Sequence, residues 1–167
     1  MRKSLAELFV RNISFGVEDS IVSTMGLLAG IAASGASRTT IVLTGVVLIF
    51  VEGFSMGIGS LLTEHSVAEF RGTEDHVSRR DVLGGGIMLG AYITAGLLPL
   101  LPYVFFPVRA AFWVSVVLSL LGLFLLGVLG VTKSNTHRLR HGLEMLIVGG
   151  IALAVGLVIG RVMHGLV

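Results

Sequence analysis

The chain has 167 residues, of which 54% are hydrophobic and only 13% are charged, and it carries a formal charge of +2 and no cysteine. A mean hydropathy of +0.94 excludes an ordinary soluble domain, so most of the chain is expected to lie in lipid. The lack of cysteine excludes disulfides and thiolate metal sites, and in such a chain Lys and Arg chiefly report topology rather than a nucleic-acid partner.

Five apolar runs are long enough to cross a hydrocarbon core, which takes about 20 helical residues. In chain order, the predicted spans are residues 13–36, 40–63, 82–104, 108–132 and 142–163, all within a single transmembrane domain. Pro99 and Pro102 are expected to stop the third helix near the outer surface. The predicted fold class is therefore an all-α integral membrane protein, a bundle of five transmembrane helices.

The segment before the first span is amphipathic, with Leu5, Leu8 and Phe9 at helical spacing and charges elsewhere around the helix. It predicts a short N-terminal interfacial helix over residues 1–12. If the N-terminus is cytoplasmic, only three of the 12 Lys and Arg residues lie outside. The positive-inside rule then predicts an N-in, C-out orientation with a cytoplasmic loop at residues 64–81.

Two of the acidic residues within the predicted spans are functional candidates. Asp19 follows Glu18 near the start of the first span, and Glu52 lies near the middle of the second. A carboxylate at membrane depth is costly unless it is protonated, paired or hydrated, so each is a functional candidate. The alternatives are a protonated Glu52 bonded to a neighbouring helix and an Asp19 charge at a helix N-terminus near the headgroups.

Met56 lies one turn from Glu52 on the same helix face, near the expected depth of Asp19 on the antiparallel neighbour. Carboxylate oxygens together with a thioether sulfur favour a transition metal such as ferrous iron or manganese over magnesium or calcium. Asp19, Glu52 and Met56 are therefore the predicted metal and pore residues. The alternative for Met56 is simple packing.

The polar stretch after the second span could capture metal from the cytoplasm, and its candidate residues are Glu64, His65, Glu69, Glu74, Asp75 and His76. A solvated polar loop is the alternative reading. The sequence has no nucleotide-binding loop, nucleophile elbow or zinc-protease motif, so we expect no enzyme and no cofactor, with metal present as substrate.

Residues 12–24 read Asn-Ile-Ser-Phe-Gly-Val-Glu-Asp-Ser-Ile-Val-Ser-Thr, residues 28–30 read Leu-Ala-Gly, and residues 55–59 read Ser-Met-Gly-Ile-Gly. This order resembles the vacuolar iron transporter family, whose plant and fungal members move ferrous iron and manganese into vacuoles. The resemblance implies a homodimer with a translocation path at its two-fold interface, lined by the first two helices, through which metal leaves the cytoplasm in exchange for protons.

In the same resemblance, Asp19 and Met56 correspond to the intramembrane metal ligands of the family. The supporting candidates on the first helix are Glu18, Ser20, Ser23 and Thr24. Two features differ from the family. The long acidic domain of plant members is reduced to residues 64–81, and the family glutamate of the second helix lies one to two turns before Glu52, where this chain has apolar residues such as Leu48.

The sequence therefore predicts a dimeric exporter of ferrous iron or manganese that works by proton antiport, with metal ions, protons, the bilayer and a second copy as its partners. It would lie in the plasma membrane of a prokaryote or in a vacuolar or other endomembrane of a eukaryote. The alternatives are a non-transporting membrane scaffold or assembly subunit and a passive cation channel.

Overall fold

A computed structural model describes residues 5–70, 72, 76–130 and 135–166, and gives only the backbone of residues 135–137. These ranges form five helices: α1 (Leu5–Ala33), α2 (Arg38–Phe70), α3 (Arg79–Phe105), α4 (Val108–Gly130) and α5 (Asn135–Leu166). Each helix is long and apolar enough to cross a membrane. The all-α, five-helix class is confirmed. The N-in orientation stays a prediction, because helix length and composition do not distinguish the two sides of a bilayer.

A tight turn joins α1 to α2. Gly35 ends α1 in the left-handed conformation, with φ +80°, and its N–H donates to the carbonyl of Ala32 at 3.2 Å. The side chain of Ser37 then accepts a hydrogen bond from the Thr40 N–H at 3.2 Å, which caps the start of α2. These local signals hold the first two helices as an antiparallel hairpin.

The separate interfacial helix predicted over residues 1–12 is wrong, because α1 runs without a break from Leu5. Asn12 lies where the break was expected. It is fully buried, and its side-chain amide donates to Ser60 on α2 at 3.0 Å and to the carbonyl of Gly84 on α3 at 2.8 Å. Residues 5–12 are therefore the first turns of a packed helix, not a segment that lies apart on a membrane surface.

The prediction that proline stops α3 is also wrong, since the helix continues through Pro99 and Pro102 to Phe105. Proline has no N–H, so Pro99 and Pro102 leave the carbonyls of Ala95 and Leu98 without their usual helical hydrogen bond, but both prolines are buried and packing in the bundle holds the helix together. The hydroxyl of Ser115 on α4 donates to the carbonyl of Pro99 at 2.7 Å. Contact with α4 thus stabilises the end of α3.

The helices extend beyond the predicted spans on the side where α2 ends. The cytoplasmic stretch at residues 64–81, predicted to begin as a helical extension and to break at Gly72, is helical up to Phe70 and again from Arg79. Gly72, with φ +64°, lies just beyond the end of α2, and a capping box formed by Ser78 and Asp81 begins α3. Between α2 and α3 the structure describes residues 72 and 76–78.

The helix α1 lies at the centre of the bundle and contacts each of the other four helices. Its closest approach is to α5, where Gly26 and Gly30 face Gly156 and Gly160. A side chain at Gly30 would lie 2.7 Å from the carbonyl oxygen of Gly156, so only glycine permits this approach. These glycines, four residues apart on each helix, therefore let α5 pack closely on α1, although most of α5 remains exposed.

Candidate functional site

Glu52 is bonded to a buried tyrosine on another helix. The hydroxyl of Tyr92 on α3 donates to Glu52 Oε2 on α2, and it is 2.7 Å from the Ser23 hydroxyl on α1. Tyr92 is 0% exposed, so water has little access to its side chain. One phenol oxygen therefore joins three helices at the position of the acidic side chain.

Asp19 lies one turn before Ser23 on α1 and is half-buried. It is close enough to Glu52 for the two negative charges to repel each other, and Glu18 in turn repels Asp19. Asp19 and Glu52 lie 33 positions apart in the sequence, and the fold places each within range of the other's charge. Repulsion between carboxylates is relieved when one is protonated or when a cation lies between them.

Met56 is half-buried on α2, one turn beyond Glu52. Its role as a metal ligand stays a prediction, as do the roles of Asp19 and Glu52.

The supporting candidates on α1 face different directions. Ser23 bonds to Tyr92 beside Glu52, whereas the hydroxyl of Ser20 donates to the backbone carbonyl of Tyr92 at 2.6 Å. Ser20 and Thr24 are both fully buried in the bundle. Ser23 therefore belongs to the acidic site, and Ser20 and Thr24 lie on the interior side of the helix.

An open groove of about 500 Å³ runs along α1 between α2 and α5. Its lining is largely apolar, and its residues include Ser23, Gly30, Ser34, Leu48, Glu52, Gly156 and Met163. Leu48 and Glu52, one turn apart, line the same wall. Glu52 therefore faces the groove one turn from Leu48, which is one of the apolar residues in the region where the resemblance expects a glutamate.

The residues predicted to capture metal are dispersed in the structure. Glu64 forms an ion pair with Arg11 on α1, and the Nδ1 atom of His65 is 3.9 Å from Asp81 Oδ2 on α3. Glu69 and His76 are exposed, and Glu74 and Asp75 lie outside the described residues. Within the described ranges no three His, Asp or Glu residues are grouped so that they could share an ion. The capture patch stays a prediction.

Tyr92 is the residue of this site that the sequence analysis missed. A signal for it exists, because tyrosine in a membrane protein is usually found at the interfaces, while Tyr92 falls in the middle of the third predicted span. A phenol hydroxyl at that depth needs a polar partner. The sequence does not tell which side chain on another helix supplies it.

Comparison with known proteins finds a match to the family model described as the VIT family, over residues 10–83 and 64–161. The chain is also similar to Protein CCC1 of Saccharomyces cerevisiae, with 27% identity over 99 residues. That alignment covers 55% of this chain and 31% of the yeast protein. The matched part thus spans about a third of the length of this relative.

Proposed function

The chain belongs to the VIT family, and from that premise we propose that it exports a divalent transition metal, ferrous iron or manganese, from the cytoplasm in exchange for protons. The observation that carries this proposal is the acidic site inside the bundle. Glu52, oriented by Tyr92 and close to Asp19, faces an open groove within the predicted membrane spans. A cation is the natural ligand for two neighbouring carboxylates at that depth.

Metal and protons compete for the same oxygens in this proposal. Two nearby carboxylates favour either a bound divalent cation or added protons, because both states remove the repulsion between the charges. Metal that arrives from one side displaces protons, and protons that arrive from the other side displace metal. The Tyr92 hydroxyl orients Glu52 towards the groove by donating a hydrogen bond to its carboxylate.

We further propose that two copies of the chain complete the site. Glu52 lies in a largely apolar groove, and lipid alone would cover a carboxylate at a high energetic cost. A second copy packed across this groove by a two-fold axis would duplicate Glu52 in the groove, and it would also duplicate Asp19 and Met56, which lie on the same two helices but do not line the groove. Four carboxylates and two thioethers would then surround a passing ion, a mixed oxygen and sulfur environment that suits ferrous iron or manganese.

Reconstitution tests this function. The full chain is placed in vesicles that contain a dye quenched by Mn²⁺, and uptake is followed with and without an imposed pH gradient. Glu52→Gln keeps the shape of the side chain and removes its charge, and we expect it to abolish uptake. Glu144→Gln is the matched control, since Glu144 pairs with Arg140 and His141 near the start of α5, outside the groove.

Each alternative predicts a different result. A membrane scaffold gives no quenching with the wild-type chain under any gradient. A passive cation channel gives quenching that is indifferent to the pH gradient. Equal uptake by the wild-type and Glu52→Gln proteins would contradict the assignment of this acidic site.

A further inference from the structure

A second groove lies on another face of α2, between this helix and the end of α3. Its volume is about 580 Å³, and we call it the α2–α3 groove. It shares no lining residue with the groove that contains Glu52. One of its ends is polar and the rest is apolar, and its lining residues are Arg38, Thr39, Val42, Leu43, Val46 and Val104.

The apolar part of the α2–α3 groove lies on a face of α2 that the bundle leaves uncovered. Leu43 is 63% exposed and Val46, one turn further, is 39% exposed. Because α2 is long and apolar enough to cross a membrane, such a face contacts hydrocarbon. From Arg38 to Val46 the groove follows α2 for eight residues, or about 12 Å. Its shape and lining therefore suit a lipid acyl chain.

The polar end of the α2–α3 groove is formed by a guanidinium that is held in place. Arg38 is the first residue of α2, two residues before the predicted span 40–63, so it lies at the depth expected for headgroups. Its Nη2 donates to the carbonyl of Val104 in the last turn of α3. A guanidinium has five N–H donors, and this bond uses one of them. Thr39 adds a hydroxyl, and the start of a helix favours an anion.

The positive charge of Arg38 has no acid close to it in the sequence. The helix ends that meet at this end of the bundle come from residues 20–51, 82–143 and 145–167, and none of these ranges contains Asp or Glu. The acid nearest to Arg38 along α2 is Glu52, 14 residues or about 21 Å away. An anion from the surroundings is therefore the natural partner for this charge.

We propose that the α2–α3 groove binds one phospholipid with an anionic headgroup, whose phosphate lies at Arg38 and one of whose acyl chains lies along the apolar residues. Basic pockets between transmembrane helices recognise lipid headgroups in this way. An anionic headgroup is preferred because no nearby acid pairs with the ammonium group of a zwitterionic one. The bound lipid joins the start of α2 to the end of α3. This site is independent of the proposed metal export.

Native mass spectrometry of the full chain in detergent tests the headgroup. Phosphatidylglycerol or phosphatidylcholine is titrated, and the dissociation constant of the first bound lipid is measured. We expect the wild-type chain to bind phosphatidylglycerol more tightly. Arg38→Gln should raise that dissociation constant about tenfold, which corresponds to about 1.4 kcal/mol. Arg109→Gln is the matched control, because Arg109 is exposed in the first turn of α4 and does not line the groove.

A second pair of variants tests the acyl chain. Val46→Trp fills the α2–α3 groove and leaves Arg38 in place, and we expect it to weaken phosphatidylglycerol binding about tenfold. Val47→Trp makes the same change at the next residue, which is 52% exposed and outside the groove, and should bind as the wild type does. Inorganic phosphate at the same concentrations should not displace the lipid, because it has no chain to occupy the apolar part.

The thermal denaturation midpoint gives a readout that does not depend on the mass spectrometer. A ligand that binds only the folded state stabilises it. Phosphatidylglycerol should therefore raise the midpoint of the wild-type chain and leave that of Arg38→Gln nearly unchanged. Arg38→Lys keeps the positive charge and should keep the preference for phosphatidylglycerol over phosphatidylcholine.

The outcomes that overturn the proposal are distinct. Equal phosphatidylglycerol binding by the wild-type and Arg38→Gln chains overturns the headgroup site. An equal loss in Arg38→Lys and Arg38→Gln also overturns it, because the bond to Val104 then explains the effect. Displacement by inorganic phosphate shows a site for a free anion instead. A Val46→Trp chain that loses its dimer but binds lipid normally shows that a second copy covers the groove. If Arg38→Gln does not fold, Val46→Trp decides independently.

Discussion

Replacing Tyr92 by phenylalanine removes one oxygen atom from the acidic site and leaves the ring in place. That oxygen donates to Glu52 and bonds to Ser23 at 2.7 Å. A hydrogen bond to a charged group contributes about 1.5–3 kcal/mol, and water cannot replace it easily because Tyr92 is 0% exposed. If this energy is lost from the transport-competent arrangement of Glu52, metal flux falls about ten- to a hundredfold.

The assay is initial Mn²⁺ uptake into vesicles at a fixed pH gradient, normalised to the amount of folded protein. The matched control is Tyr103→Phe, at the other tyrosine of the chain, which is equally buried but packs in an apolar cluster with Leu28 and Ile41. We expect the control to keep most of its flux. Tyr92→Phe with wild-type flux, or a loss no larger than that of Tyr103→Phe, would refute the positioning of Glu52 by Tyr92.

Three further predictions use other parts of the structure. Asp19→Ala and Met56→Ala should each abolish uptake in the same vesicles while the dimer, measured by light scattering in detergent, still assembles; unchanged flux in both would contradict the proposed metal path. Asn12→Ala should lower the free energy of unfolding in detergent by about 2 kcal/mol, because its amide bonds to α2 and α3 are lost in a buried position; an unchanged denaturation midpoint would contradict this. Gly156→Leu should abolish stable folding, because the new side chain would overlap the backbone of α1. Gly150→Leu should express normally, since a side chain at Gly150 meets no atom within 4 Å. Equal yields of the two variants from size-exclusion chromatography would show that this close packing is not required.

The extents of the helices show where sequence-based prediction is reliable and where it fails. All five predicted spans lie within observed helices or differ from them by a few residues at an end, because the bilayer requires long apolar helices. The two errors, at residues 1–12 and at Pro99 and Pro102, concern helix continuity. In both cases the reason is packing against other helices, which local signals do not show. Asn12 bonds to α2 and α3, and the two prolines are buried in the bundle, where Ser115 of α4 bonds the Pro99 carbonyl.

The acidic site was predictable in part. Asp19 and Glu52 could be chosen because a carboxylate within an apolar span is rare and costly. Their proximity depends on how α2 packs against α1 and α3, and so does the bond from Tyr92, which lies 40 residues beyond Glu52 in the sequence. A pattern along one helix gives the face of a residue but not the residue that it meets on another helix.

The sequence was enough to predict a five-helix membrane protein with a candidate ion site. The prediction used the composition, the length of the apolar runs and the depth of two acidic residues, all of which reflect how the chain interacts with lipid. The tertiary structure alone decided which side chain holds Glu52 and which glycines let α5 approach α1. The physical reason is that lipid acts on each helix separately, whereas hydrogen bonds and close packing join residues on different helices and depend on their register.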